Sequence, residues 1–415
     1  MLRYTISKAD NDLSGEITLH PVKSISSKAL VFRVIRQSSS EQKSVPIEKE
    51  VEIIFENVPK IKHVIGKGDA GKALRHLRSF FNFFKADWLI TGSDKAKDRP
   101  LEKLVKLLQK QGINIDFIER AGMPPFKLIG KNFRGNTILK VDSSISSTTI
   151  SATLILSPTL PNSDIIEMKD GIINSSYIEL TLKALQYLGI NSGWKMSETL
   201  IESRFKDGSE LSIEADWSAA SYWYEMAALS NKCNLTIHGM NVDSTQFDSI
   251  VKELFEQFGV KTTYIQDGIT LTKGKKKVKL FEYDFKNNPD LVPTFAVLCV
   301  IQKIPFRMMG IKDLHIKCND RIKSLQSELL KFGAVLKLEV QDDQETLCFD
   351  GKIKKISKKP IGISTYEDHR MVMAFAPVSI IGSPISIDDP KLTSKSYPSF
   401  WDDLKKVGFT VDSEQ

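Results

Sequence analysis

Several segments of the sequence bring basic, acidic and hydroxyl side chains together where a helix is expected to begin. The first turn of a helix has free N–H groups and a partial positive charge, so it attracts anions. Lysine and arginine add full charges, and arginine can bind a carboxylate or phosphate through two hydrogen bonds. Eight such segments occur, at residues 22–30, 66–75, 95–100, 142–148, 287–290, 316–321, 366–371 and 389–398. Each alone is weak, because Ser and Asp at helix starts are usually simple caps, but together they predict an anion-binding site.

The elements that position these segments recur along the chain. In five places an amphipathic helix ends at a glycine, and an apolar, strand-like run follows. The glycines are Gly112, Gly189, Gly259, Gly333 and Gly408, at intervals of 77, 70, 74 and 75 residues. A near-constant interval of this length indicates a repeated supersecondary unit.

A second helix-like segment precedes each of these helices by about 40 residues, and a further copy lies near the N-terminus. Lys28 in that copy and Lys72 in the next are only 44 residues apart, so the first unit is expected to be truncated. A chain of 415 residues also favours two domains. We therefore predict an α/β protein with two domains. Residues 21–214 form the first, with about two and a half units, and residues 1–20 plus 215–415 form the second, with three.

Composition excludes several classes of protein. The four cysteines form no CxxC pair, which argues against a zinc site or a disulfide framework and predicts a cytoplasmic protein. No stretch resembles a membrane helix or a signal peptide. The net charge is +7, but the lysine runs at 273–279 and 352–359 lack interleaved aromatic residues. We interpret these runs as solvated hairpin edges, and expect neither a nucleic-acid partner nor a membrane.

Four motifs identify a family. They are TYEDHRM at 365–371, ADWSAASYWY at 215–224, the Arg99–Pro100 pair, and the DP-x₄-K-x-YP sequence that ends at Pro398. Their order and spacing are similar to those of the 5-enolpyruvylshikimate-3-phosphate synthase family of enolpyruvyl transferases. The resemblance implies two domains of three βαβαββ units each, in the inverted α/β barrel arrangement, with an active site in a cleft that closes on the substrates. It also implies a monomer without a metal ion or an organic cofactor.

The reaction that the resemblance implies joins two anions. The enolpyruvyl group of phosphoenolpyruvate passes to the 5-hydroxyl of shikimate 3-phosphate, and phosphate leaves. This step belongs to the shikimate pathway, which leads to chorismate and the aromatic amino acids. It needs fixed cations for a carboxylate and two phosphates, and acid–base groups beside the hydroxyl and the methylene.

The resemblance assigns residue roles one position at a time. Proton transfer falls to Lys23, Asp290 and Lys317. Phosphoenolpyruvate binding falls to Lys23, Gly71, Arg99, Arg321, Arg370 and Lys395. Acceptor binding falls to Ser24, Lys28, Ser146, Ser147, Thr148, Asn174, Tyr177, Asp290, Asp313 and Lys317.

The acceptor side departs from the family pattern. Lys28 stands where the family has arginine, Thr148 where it has glutamine, and Cys318 where it has a proton-transferring acid. Lysine cannot make the forked contact of arginine, and a thiol has no carboxylate, although a thiol of lowered pKa could transfer a proton. We therefore expect a retained phosphoenolpyruvate site beside an altered acceptor pocket.

Alternative functions stay open at this point. A paralog with a changed acceptor, or a non-catalytic paralog, would explain Cys318 and the truncated first unit. The retained ionic residues, including Arg99, Arg321 and Arg370, argue against loss of catalysis. The sister enzyme that acts on a UDP-amino sugar usually has a loop cysteine before the arginine–proline pair, and the loop here, TGSDKAKDRP, has none. A related fold that processes RNA ends has only the net positive charge in its favour.

Overall fold

The structure is a computed structural model of the chain. It describes residues 2–20, 63–65, 88–90, 109, 114–121, 126–129, 139–141, 165–168, 181–182, 185, 192–195, 198–201, 214–244, 246–315, 320–342, 344–354 and 361–414.

The chain divides into two compact units. Unit 1 comprises Met1–Lys23 and Ile213–Gln415, and unit 2 comprises Ser24–Ser212. The predicted number of repeats in each domain, and a site between the domains, stay predictions. The predicted truncated first repeat lies outside the described residues.

In chain order, the described strands are β1 (Arg3–Lys8), β2 (Leu13–Thr18), β3 (His63–Ile65), β4 (Trp88–Ile90), β5 (Asn114–Phe117), β6 (Phe126–Ile129), β7 (Leu139–Val141), β8 (Ile165–Met168), β9 (Ser192–Lys195), β10 (Glu198–Ile201), β11 (Cys233–His238), β12 (Val260–Ile265), β13 (Gly268–Lys273), β14 (Phe281–Asp284), β15 (Phe306–Met309), β16 (Lys337–Gln341), β17 (Gln344–Phe349), β18 (Ile361–Ile363), β19 (Ile385–Asp388) and β20 (Phe409–Glu414). The α-helices of unit 1 are α1 (Trp217–Leu229), α2 (Val251–Glu256), α3 (Val292–Ile301), α4 (Arg321–Lys331), α5 (His369–Phe375) and α6 (Phe400–Lys406).

Four of the five four-stranded sheets in the described chain share one strand order. In one of them the order is β14-β15-β17-β16, with β14 parallel to β15 and the other two pairs antiparallel. Helix α3 connects β14 to β15, and α4 connects β15 to β16, so the segment reads βαβαββ. The sheets β3-β4-β6-β5, β7-β8-β10-β9 and β2-β11-β13-β12 have the same order. The predicted α/β fold of repeated units is confirmed.

The N-terminal strands belong to two different sheets of unit 1. Strand β1 lies between β19 and β20 and is antiparallel to both, with Arg3 opposite Glu414 and Lys8 opposite Phe409. Strand β2 pairs in parallel with β11. Unit 2 therefore lies, in sequence, between two adjacent strands of one sheet of unit 1.

The predicted glycine caps are confirmed in unit 1, where Gly259, Gly333 and Gly408 have φ of 79°, 80° and 89°. Glycine adopts this left-handed conformation without the steric penalty of a Cβ. At Gly333 a Cβ would also lie 2.2 Å from the carbonyl oxygen of Lys354. The other two predicted cap glycines lie outside the described residues.

An aromatic cluster supports the loop before α3. Phe295 on α3 lies 4.9 Å from Phe281 of β14 and 4.7 Å from Phe255 of α2, measured between ring centroids. Each ring is fully buried, and burying a side chain of this size contributes about 1.5–3 kcal/mol to stability. The cluster fixes β14 against α3, and thereby both ends of the 285–291 loop. Among the described helices, none is long and apolar enough to cross a membrane.

Candidate active site

Arg321 is the first residue of α4. The carboxylate of Asp320 caps this helix by accepting a hydrogen bond from the Lys323 N–H at 3.2 Å. The Arg321 side chain is only 3% exposed. Its Nε donates to Asp368 Oδ2 at 2.6 Å, and its Nη1 donates to Asp290 Oδ1 at 3.0 Å. Arg321 thus binds two carboxylates through different nitrogens of its guanidinium.

Arg370 lies in the first turn of α5. Its backbone N–H donates to Asp368 Oδ1 at 2.9 Å, so the N-cap of this helix is the same carboxylate that holds Arg321. Its Nη2 donates to Asp290 Oδ2 at 3.0 Å, and its Nη1 to the Tyr222 hydroxyl oxygen at 3.4 Å. The N-terminal turns of α4 and α5 therefore present two guanidinium groups to one point.

Asp290 lies at that point. It sits in a short 3₁₀ turn, Pro289–Leu291, directly before α3. One of its carboxylate oxygens binds Arg321 and the other binds Arg370. The motifs predicted all three residues as site residues, and the structure brings them together.

Acidic groups and a tyrosine surround Arg370. Burial lowers the pKa of its guanidinium, but its interactions with Asp290, Tyr222, Asp248 and Asp216 outweigh that effect and raise it above the usual value. Arg370 is thus fixed as a cation in a setting with little contact with water. Such a cation interacts more strongly with an anion than an exposed one does.

Asp368 stays charged despite being buried. Burial raises the pKa of its carboxyl. The charge and hydrogen bond of Arg321 and the N–H of Arg370 lower it by more, so the net pKa lies below the usual value. Removal of Arg321 would leave this carboxylate without its main partner, and a buried unpaired charge is strongly destabilising.

His369, the first residue of α5, is neutral near physiological pH. Burial lowers the pKa of its imidazole, Arg370 and Arg321 lower it further, and the result is about 3. The neutral ring can still donate or accept one hydrogen bond beside the two arginines.

Four of the sequence motifs or segments contribute to this arrangement, and one part of it escaped the sequence analysis. Asp248 Oδ1 accepts a hydrogen bond from Asn288 Nδ2 at 3.0 Å, and its other oxygen makes a short hydrogen bond with the Ser218 hydroxyl. Asn288 Oδ1 accepts from Tyr283 OH at 3.1 Å. This network holds the turn that carries Asp290. Its partners are 30 and 40 residues from Asp248 in sequence, so no local pattern could have indicated it.

His315 forms a second cluster of titratable groups near the start of α4. Its Nδ1 lies 2.9 Å from Asp320 Oδ1, and its Nε2 lies 2.9 Å from Glu345 Oε2. This bridge connects β17 to the N-cap of the helix that begins with Arg321. The sequence analysis did not select His315 or Glu345.

A sequence model of the family described as EPSP synthase (3-phosphoshikimate 1-carboxyvinyltransferase) matches residues 48–404. The chain belongs to the EPSP synthase family. This confirms the family resemblance of the motifs, and the chain is therefore an enzyme of the transferase class.

Related proteins match most or nearly all of the chain. A 3-phosphoshikimate 1-carboxyvinyltransferase of Bacteroides fragilis (strain YCH46) is 34% identical over 411 residues, which cover 99% of either chain. Another, of Klebsiella pneumoniae (strain 342), is 29% identical over 343 residues, which cover 82% of this chain and 78% of the relative.

Solved structures share the fold of this EPSP synthase family member. The EPSP synthase of Acinetobacter baumannii superposes with a TM-score of 0.74 at 18% identity and covers 100% of each chain. The enolpyruvyl transferase NikO of Streptomyces tendae superposes with a TM-score of 0.67 at 12% identity, covering 100% of this chain and 99% of NikO. These likenesses confirm the fold.

The remaining predicted site residues are not described at the side-chain level. For Asp313 and Lys395 the structure describes the backbone, in 3₁₀ turns Lys312–His315 and Pro390–Lys395. The rest lie outside the described residues: Lys23, Ser24, Lys28, Gly71, Arg99, Ser146, Ser147, Thr148, Asn174, Tyr177, Lys317 and Cys318. Their roles stay predictions. Among the described residues, no group of three or more His, Cys, Asp or Glu could hold a metal ion.

Proposed function

We propose that this chain transfers the enolpyruvyl group of phosphoenolpyruvate to the 5-hydroxyl of shikimate 3-phosphate and releases phosphate. This is the reaction of the family to which the chain belongs. The observation that supports it best is the pair of arginines, one buried and one mostly buried, each 3.0 Å from one carboxylate oxygen of Asp290. Two guanidinium groups that converge on one carboxylate are positioned to bind an anionic substrate.

Arg321 and Arg370 bind an anionic group of phosphoenolpyruvate in this proposal. Asp368 accepts hydrogen bonds from the Arg321 side chain and from the backbone N–H of Arg370, so it fixes the Arg321 guanidinium and the start of the helix that carries Arg370. Pre-oriented cations of this kind stabilise charge that develops during reaction without reorganising at that moment. Lys23, Gly71, Arg99 and Lys395 complete the phosphoenolpyruvate site in the proposal.

Asp290 acts as the base. A proton adds to the methylene carbon of phosphoenolpyruvate, and the acceptor hydroxyl, losing its proton to Asp290, forms a bond to the neighbouring carbon. The resulting tetrahedral adduct loses phosphate and a methyl proton, which gives the enol ether. Lys23 and Lys317 are the proposed partners in these proton transfers.

The acceptor side of the site is the part of the proposal that a direct experiment tests. We propose that Ser24, Lys28, Asn174 and Tyr177, with the 146–148 segment and Asp313, bind shikimate 3-phosphate despite the altered positions. The test is phosphate release from phosphoenolpyruvate with shikimate 3-phosphate, in the natural chain and in Cys318→Glu, with reactions lacking acceptor as the control. Turnover by the natural chain is the expected result.

Binding of phosphoenolpyruvate without turnover would contradict this assignment. It would favour a changed acceptor if Cys318→Glu is also inactive, and a non-catalytic paralog if the added carboxylate restores turnover.

We further propose that the two substrates are the only partners, and that the protein acts as a cytoplasmic monomer without nucleic acid or membrane. Size-exclusion chromatography with light scattering should give a mass near 46.7 kDa. A mass of twice that value would contradict the monomer.

A further inference from the structure

We propose that the Asp290 carboxylate is an internal substitute for the substrate anion, and that phosphoenolpyruvate must displace it from Arg321 and Arg370. This inference rests on the proposed function, because it takes the two arginines as the phosphoenolpyruvate site. It adds a competition between the catalytic base and the substrate for the same donors.

The geometry places the carboxylate on the donors that an incoming anion needs. Arg321 Nη1 and Arg370 Nη2 each donate to one Asp290 oxygen at 3.0 Å. The Asp290 side chain is 32% exposed, whereas those of Arg321 and Arg370 are 3% and 14% exposed. An anion that arrives from solvent therefore meets the carboxylate before it reaches the buried guanidinium groups.

Two carboxylates bind Arg321, and one of them is suited to leave. Asp368 is 2% exposed and caps α5 through the backbone N–H of Arg370, so moving it away would remove the N-cap of that helix. Asp290 lies in a turn whose backbone is held by its neighbour, Asn288, through Asp248. Rotation about the side-chain torsions of Asp290 can move its carboxylate between staggered positions while the turn stays in place.

Displacement has a chemical consequence. Two adjacent cations favour the charged form of a carboxylate and make it a weak base. Once an anion takes over the guanidinium groups, the Asp290 carboxylate loses that stabilisation and becomes a better proton acceptor. The base is thus activated only when phosphoenolpyruvate is in place, which prevents unproductive deprotonation of the acceptor.

Calorimetric titration of the full chain with phosphoenolpyruvate alone tests the competition. Asp290→Asn preserves size but removes the charge that neutralises the arginines. If displacement occurs, this variant should bind phosphoenolpyruvate more tightly, on the order of tenfold, although it loses a catalytic group. Glu282→Gln is the control, because it removes one negative charge from β14 at a side chain that is 53% exposed and contacts Arg307 rather than the two site arginines. Its affinity should match that of the natural chain.

Unchanged or weaker binding by Asp290→Asn would overturn the proposal, as would an equal gain in Glu282→Gln. A crystal structure with phosphoenolpyruvate supplies a second readout. Both Asp290 oxygens should then lie more than about 4 Å from the guanidinium nitrogens, beyond hydrogen-bonding range, whereas two persisting contacts near 3 Å would refute displacement.

The outcome is separable from that of the proposed function. Phosphate release by the natural chain, together with unchanged affinity in Asp290→Asn, refutes displacement and leaves the transferase assignment intact. Absence of phosphate release by the natural chain, together with absence of phosphoenolpyruvate binding in both the natural chain and Asp290→Asn, refutes both.

Discussion

Arg370 and Arg307 show how the surroundings of an arginine decide its importance. Both bind carboxylates at 3.0 Å, but Arg307 pairs with Glu339 at a side chain that is 44% exposed, whereas Arg370 is mostly buried. Exposed pairs contribute about 0–1 kcal/mol. A buried guanidinium that binds a reacting anion contributes far more, because little water competes with it.

We expect Arg370→Lys to lower kcat/KM for phosphoenolpyruvate on the order of 100-fold, since lysine keeps the charge but loses the fork. Arg307→Lys, the matched control, should leave steady-state kinetics unchanged. Equal effects of the two substitutions on kcat/KM would contradict the explanation by burial and forked hydrogen bonding.

His369 should make stability depend on pH. Its pKa is about 3 in the folded chain against 6.5 for an ordinary histidine. Between these values the unfolded chain binds a proton that the folded chain does not, so the free energy of unfolding rises with pH, by at most about 1.4 kcal/mol per pH unit. His369→Gln removes this contribution. Compared with the natural chain, the variant should gain stability as pH falls from 7.5 to 4.5 in urea unfolding, and parallel curves would contradict the low pKa.

The site residues that could be predicted are those whose type is visible in a motif. Arg321, Arg370 and Asp290 each stand in a short segment of charged and small residues, and the structure places them within hydrogen-bonding distance of one another. Asp248 was not predictable, because a buried carboxylate is recognised by its partners, and these come from distant parts of the chain. His315 is similar, since its bridge from Asp320 to Glu345 depends on β17 lying near the start of α4, which no periodicity reveals.

At the scale of elements, the glycines that end helices were predictable because their requirement is local. Gly333 has φ of 80° and its missing Cβ would meet backbone at 2.2 Å. Gly333→Ala should therefore destabilise the chain by at least about 2 kcal/mol. Gly362 is the control, because a Cβ there meets nothing within 4 Å. Gly362→Ala should leave the thermal unfolding midpoint nearly unchanged, and a similar loss at both positions would contradict the steric explanation.

Helix α1 contains a buried carboxyl group that its surroundings do not satisfy. Neither oxygen of Glu225 has a hydrogen-bond partner within the part of the chain that the structure describes, and the side chain is fully buried. Burial raises the pKa of this carboxyl well above its usual value, which favours its neutral form in the folded chain. The folded state then binds a proton that the unfolded state releases above its own pKa, and stability falls as pH rises past that value.

Glu225→Met should stabilise the chain by about 2 kcal/mol, and by more at pH 8 than at pH 4.5. Glu328 is a buried glutamate with partners, since it accepts hydrogen bonds from Lys331, the Ser364 N–H and Tyr366. Glu328→Met should therefore destabilise. Thermal unfolding of both variants at the two pH values measures the contrast, and a loss of stability in Glu225→Met would show that an unseen partner serves its carboxyl group.

The order of strands was beyond local patterns. Helical periodicity and capping glycines predict how many units there are, but the sheets that β1 and β2 join are set by strands hundreds of residues away in sequence. Strand β1 illustrates this, because six residues of ordinary alternating character join β19 and β20 only through pairings that span the chain.

At the scale of the whole molecule, the two ends of the described chain lie side by side, since Arg3 is opposite Glu414. Antiparallel neighbours are about 5 Å apart. A short glycine linker from residue 414 to residue 2 should therefore be tolerated, with new ends opened in the exposed 382–384 loop. This circular permutant should keep cooperative unfolding and turnover.

A permutant opened inside β1, between Thr5 and Ile6, is the control, because it interrupts pairing on both sides of the strand. It should unfold at a much lower temperature. Equal stability of the two permutants would contradict the central position of β1.

The position of β1 also determines when its sheet can form during biosynthesis. This strand leaves the ribosome hundreds of residues before both of its neighbours. At about 5–20 residues per second, the interval is roughly 20 to 80 s. During that time β1 is an unpaired edge to which other chains can add, so this sheet of unit 1 closes only after β19 and β20 have been synthesised, and nascent chains should depend on chaperones until then.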